Sequence, residues 1–186
     1  MNAEMPRIEA AWNQLVELVA KLGQDGLTVT GPDGWAVKDH LVHIGAWEHS
    51  LLALIEGRDR LAGMGLHDPV DENTDAVNHA VWKLHRNQTP EEALKYFRDS
   101  HTQLLAALGK LRDADLDKPY GHYQPADPDE KRPVGGWVAG NTYEHYAEHI
   151  GLDQSTDQRV ESSSLNSAQA QGGFDCDLRK TQLVSR

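Results

Sequence analysis

Thr89-Pro90-Glu91-Glu92-Ala93-Leu94-Lys95-Tyr96-Phe97-Arg98-Asp99-Ser100-His101-Thr102-Gln103-Leu104-Leu105-Ala106-Ala107-Leu108 reads as a helix from end to end. Thr89 suits the N-cap, Pro90 the first helical position, and Glu92 the reciprocal bond of a capping box. Leu94, Phe97, His101, Leu104, Leu108 and Leu111 then recur at steps of three and four, which places one apolar stripe along one face. Upstream lies a shorter helix with Val77, Val81 and Leu84 on one side. Before it, Val37, Leu41, Ile44, Leu51 and Ile55 carry the same period from about Val37 to Glu56, with Gly57 as a stop. Ile8, Trp12, Leu15, Val19 and Leu22 define a first helix that Gly23 and Gly26 close. Thr30-Gly31-Pro32-Asp33-Gly34 is a turn.

Residues from Gly63 to Asp71 read as loop. So does the long stretch from about Asp113 to Pro133, rich in Asp, Pro, Gly and Lys; loops of that length are often functional. A last helix spans about Val134 to Asp157, with Trp137, Asn141, His145, His149 and Leu152 along one face. No period-two alternation persists. Four long helices and a short one predict an all-α chain folded as an antiparallel four-helix bundle. Residues 1–159 form that domain. Residues 160–186 are rich in Ser, Gln and Gly with few large apolar side chains, the composition of a weakly ordered polar tail.

The chain has 186 residues, enough for one sizeable core, and a formal net charge of −11. An acidic chain without a basic patch argues against nucleic acid and anionic membranes. Mean hydropathy is −0.62, and no apolar run approaches the roughly 20 residues needed to cross a bilayer. Met1 to Ala10 lacks a signal pattern, so the expected place is the cytoplasm. The single cysteine, Cys176, rules out an intrachain disulfide.

Ten histidines are present, and spacing selects among them. In His145-Tyr146-Ala147-Glu148-His149, two imidazoles stand one turn apart on one helical face, the arrangement a divalent metal asks of a helix. His43, in the second helix and one turn before Trp47, can supply a third nitrogen. Spacing alone leaves open a packed, metal-free set. His40 competes with His43 or borders the site. His101, in its apolar stripe, reads as a core histidine. His49, His67, His79, His85 and His122 lack partners at ligand spacing and read as surface residues. Glu144 and Glu148 flank the pair; either can orient an imidazole or take a proton. Glu48 falls on the apolar register and reads as structural. Trp47, Trp137, Asn141 and Tyr143 are candidates to line a substrate or cofactor pocket. His145-x-x-Glu148-His149 also matches the inverted zinc-protease string. That family needs a downstream acidic ligand, and Glu161 is the only glutamate in the tail.

Gly34-Trp35-Ala36-Val37-Lys38-Asp39-His40-Leu41-Val42-His43-Ile44-Gly45-Ala46-Trp47-Glu48, joined with Asn141-Thr142-Tyr143-Glu144-His145-Tyr146-Ala147-Glu148-His149, resembles the DinB/YfiT-like superfamily over about residues 5 to 158. The flavour is nearest the ClbS/DfsB four-helix-bundle proteins and the N-terminal domain of mycothiol-dependent maleylpyruvate isomerase. The resemblance implies a divalent metal, zinc or nickel, on His43, His145 and His149, and often a homodimer. It also implies thiol-dependent transfer or isomerisation of a small electrophile with a low-molecular-weight thiol, or hydrolytic self-protection against a reactive natural product. A protein that only sequesters a toxic small molecule is the alternative. One departure is Ala36, where relatives often place a capping Ser, so the second helix starts with a weaker cap.

Overall fold

The Thr89 cap forms as its sequence requires. Thr89 N–H donates to Glu92 Oε2 (2.8 Å), and Glu92 N–H donates back to Thr89 Oγ1 (3.2 Å). In this computed structural model, which describes residues 2–71 and 73–151, the chain is helical, with no strand among the described residues. The helices are α1 (Met5–Gly26), α2 (Val37–Ile55), α3 (Arg60–Gly63), α4 (Thr74–His85), α5 (Pro90–Leu108), α6 (Asp113–Leu116), α7 (Tyr120–Tyr123) and α8 (Gly135–Gly140). A further helix, α9, covers residues 143–151. The long members α1, α2, α5 and the α8–α9 pair make the expected bundle. Cys176, Leu152, Asp157 and the whole of the 160–186 tail lie outside the described residues.

α1 runs against α5. Asn2 Nδ2 donates to Leu108 O (2.9 Å) at one end, and Trp12 lies on Phe97 (ring centroids 4.2 Å apart) further along. α1 does not close at Gly23. The residue takes a left-handed conformation (φ 65°), which glycine adopts without steric cost, and the helix resumes to Gly26 beyond the kink. The turn after it is pinned by Gly31 N–H donating to Trp35 O (2.7 Å). α2 therefore also runs against α1. Its connection to α5 must cross the bundle, and α3 and α4 lie on that crossover.

α2 departs from the single stripe that its periodicity predicts, because it is buried nearly all round. One side packs with α1 and α5 through Leu41, Ile44 and Leu51. The other side, through Val42, Ala46 and Trp47, covers Met64, Val77 and Val81 from the crossover. A helix enclosed on both sides needs small residues where neighbours come close. At Gly45 an added Cβ would stand 3.0 Å from both Ser100 Oγ and the Tyr96 ring. With Ala36 offering no side-chain oxygen, the start of α2 is held by Asp39, accepting from Ala36 N–H (3.0 Å), and by Val37 N–H and Lys38 N–H donating to Val29 O (3.1 Å) and Leu27 O (2.9 Å).

The last helix is not continuous from Val134 to Asp157. It breaks at Asn141–Thr142. Asn141 Nδ2 donates to Trp137 O (2.8 Å), and Thr142 Oγ1 donates to Val138 O (2.5 Å). The Thr142 N–H turns instead to Ala139 O (3.2 Å). Side chains that bond nearby carbonyls offer the backbone an alternative to the helical ladder, and Gly140 supplies little resistance. The long connection from Asp113 to Pro133 is likewise not all loop; it carries α6 and α7 and is tied at its base by a bridge between Pro119 and Pro133.

Candidate metal centre

His43 comes from α2; His145 and His149 come from successive turns of α9. Their nitrogens converge: His145 Nε2 is 3.0 Å from His43 Nε2 and 3.1 Å from His149 Nε2. One donor atom from each residue fits within a span of 4.8 Å. Among the described residues no other group of three His, Cys, Asp or Glu side chains meets that condition. Burial pushes the His145 imidazole down to about 4. His43 lies well below the usual histidine value through burial first, then its His145 and His40 neighbours. His149 is lowered in the same way, by burial and then by His145, His43 and His40. All three are therefore neutral near pH 7, the form in which an imidazole is a ligand.

The donor set fits a borderline divalent cation such as zinc, nickel or copper. A ring nitrogen carries either one proton or one lone pair, so His145 Nε2 cannot form a full hydrogen bond with both neighbours. A cation accepting three lone pairs would satisfy all of them together. The opposite ring atoms, Nδ1 of His43 and of His145, are buried without hydrogen-bond partners.

Trp35 and His40 close one side of the centre. The Trp35 ring is 5.5 Å from His43 and 5.4 Å from His40, centroid to centroid. His40 Nε2 faces Asp33 Oδ2 at 3.3 Å, and its ring lies 5.3 Å from that of His149. Burial lowers the His40 pKa, against the pull of Asp33 and Asp39. Periodicity does not reveal Trp35 or Asp33, because both sit in a turn; the cue was their place just before His40 and His43.

The other expected residues distribute as follows. Trp47 is buried with its ring 6.3 Å from His43, and its indole N–H donates to Asn78 Oδ1 (3.0 Å). Trp137 packs on Tyr120 and beneath Arg132. Asn141 caps the break described above. Tyr143 lies under the Arg7 guanidinium. Glu144 and Glu148 are exposed on α9. Partial burial and the Glu144 charge raise the Glu148 pKa. His67, His79 and His122 are exposed as expected, but His49 and His85 are not surface residues: both rings pack against Tyr96.

Beside the histidines is a second polar cluster. Glu48, fully buried, accepts from Ser100 Oγ (2.5 Å), from His101 Nδ1 (2.8 Å) and from the Tyr146 hydroxyl. Trp12 stacks on His101 at 3.5 Å and 5°. Burial, then the Glu48 charge, holds the Tyr146 hydroxyl well above its usual value, so it remains a donor.

A helical bundle with three neutral imidazoles gathered between α2 and α9 defines the class. Residues 7–152 match the family model described as the DinB superfamily, and the chain belongs to that superfamily. Among solved structures, the fold is similar to that of a Streptococcus pneumoniae protein determined by a structural genomics consortium. The TM-score is 0.63 and the identity 13%, over 82% of this chain and 87% of that one. No curated protein matches the chain. No described helix is long and apolar enough to cross a membrane.

Proposed function

We propose that this protein is a metal-dependent enzyme acting on a small electrophile, as a thiol-dependent transferase or isomerase or as a hydrolase. The observation that carries the reading is the meeting of three neutral imidazole nitrogens at 3.0 and 3.1 Å. His43, His145 and His149 would hold the cation, with zinc or nickel the choice the donor set supports. When bound, a divalent cation supplies Lewis acidity that makes a water or a low-molecular-weight thiol nucleophilic near neutral pH. Trp35 shields the centre from solvent and offers an apolar face to the substrate. The Asp33 carboxylate orients His40 at the rim. Glu148, whose raised pKa suits proton transfer, and its neighbour Glu144 are the candidates to move the proton.

Elemental analysis of protein purified without a His-tag, beside a His145→Ala, His149→Ala double variant, tests the site. About one metal per chain, lost in the variant, supports it; absence from both, with no uptake on reconstitution, overturns it. Turnover of electrophiles with and without thiols by the loaded protein then tests the chemistry. Tight binding with every ligand recovered unchanged would make the protein a sequestering one instead.

A further inference from the structure

We infer that Glu48, acting through Tyr146, is the positioning residue of the histidine centre: it fixes the rotation of α9 so that His145 and His149 face His43. The inference rests on the metal-site reading above.

Three observations carry it. First, the Glu48 carboxylate is fully buried and has three donors on two other helices, Ser100 and His101 on α5 and Tyr146 on α9. A buried charge is poor evidence for stability, since apolar residues of similar volume often serve as well; its attested use is to fix geometry. Second, Tyr146 is the residue next to His145, and Glu48 lies on the same helix as His43. The bond thus joins the two helices that supply the imidazoles. Third, the break at Asn141–Thr142 leaves α9 without a continuous ladder to α8, so its rotation must be set by its own contacts. The ring contacts of Tyr146, edge-on to Trp12 at 5.8 Å and to His101 at 6.2 Å, tolerate sliding. A directional hydrogen bond does not.

The tolerance is narrow. Ligand constellations must be held within about 0.5 Å and 10–20°. A nitrogen about 6 Å from a helix axis moves about 2 Å when the helix turns by about 20°. Removing the hydroxyl therefore loosens the centre without emptying the core.

The test uses full-length Tyr146→Phe, with Tyr143→Phe as control, and Co(II) as the probe. The expected result for Tyr146→Phe is an unchanged far-UV spectrum and a metal-free Tm within a few degrees of the parent. Its Co(II) affinity by chelator competition falls at least tenfold, with altered visible bands. Amide exchange quickens in residues 143–151 but not in α5. Glu48→Gln, which keeps an acceptor for Tyr146, should bind more tightly than Glu48→Ala; if the alanine variant does not fold, the other two variants still decide. Parental affinity, bands and exchange in Tyr146→Phe would overturn the inference. If the parent itself takes up no Co(II), the metal reading falls, and exchange confined to 143–151 alone upholds or overturns the positioning role.

Discussion

Tyr146 of α9 donates its hydroxyl hydrogen to Glu48 of α2, one residue past His145 and five past His43. The two helices are thereby joined twice within a short span, once by a hydrogen bond in the core and once by converging imidazoles nearer the surface. The first junction is satisfied by protein atoms alone. The second is not, since His145 Nε2 faces two ring nitrogens and Nδ1 of His43 and of His145 have no partner.

Metal should stabilise the folded chain and not the unfolded one. At a free concentration about 100 times Kd, binding adds about 2.7 kcal/mol. For a chain of this size that is a rise in Tm of roughly 5–10 °C. Thermal melts of chelated protein with and without zinc or nickel measure it. His43→Ala and His145→Ala should each abolish the rise; an equal rise in His43→Ala would place the cation elsewhere.

Acid should destabilise the metal-free protein in a window set by histidine. His145 is near 4 when folded and about 6.5 when unfolded. Between those values the unfolded state binds the extra proton, so stability falls as pH drops from about 6.5 towards 4 and is fully present above it. His43 and His149, also lowered, add to the same slope. Glu130, at about 2 when folded, adds its own loss from about 4.5 downward. Urea midpoints from pH 8 to 4 should show the decline, and His145→Asn should flatten it.

Trp35 should report occupancy of the centre. Its ring stands 5.5 Å from that of His43. Ni(II) or Cu(II) should quench tryptophan emission, and Trp35→Phe should remove much of the quenching while leaving metal affinity within about threefold. Trp137→Phe, set among Tyr120 and Arg132, should keep it. Full quenching in Trp35→Phe would contradict this placement.

Gly45→Ala should destabilise despite the better helix propensity of alanine. Propensity gains about 1 kcal/mol, but overpacking costs about 1–3. The new Cβ meets Ser100 Oγ and the Tyr96 ring at 3.0 Å, and Ser100 is held by Glu48. A lower urea midpoint with the same m-value is the expected outcome.

Much of this was legible in the sequence because helices announce themselves by period. The capping box at Thr89 and the stripe from Leu94 to Leu108 specify α5, and the i, i+4 spacing of His145 and His149 needs only a helix to bring them together. His43 was found because it shares a helix with Val37, Leu41 and Ile44. The break at Asn141–Thr142 was not legible, since it depends on side chains competing for backbone carbonyls, which leaves the apolar period intact. Trp35 and Asp33 were missed because turns have no period. Glu48 stood on the apolar register, but its three donors are 52, 53 and 98 residues away in sequence, and no local pattern encodes such partners.

The interruption at Asn141–Thr142 also bears on time. Because α9 shares no unbroken ladder with α8, its turns can open while the rest of the bundle stays folded, and local openings are faster than global ones. Two of the three imidazoles depart together in such an opening. A cation held at the centre would then leave through the opening of α9, and exchange with the surroundings would proceed without unfolding the protein.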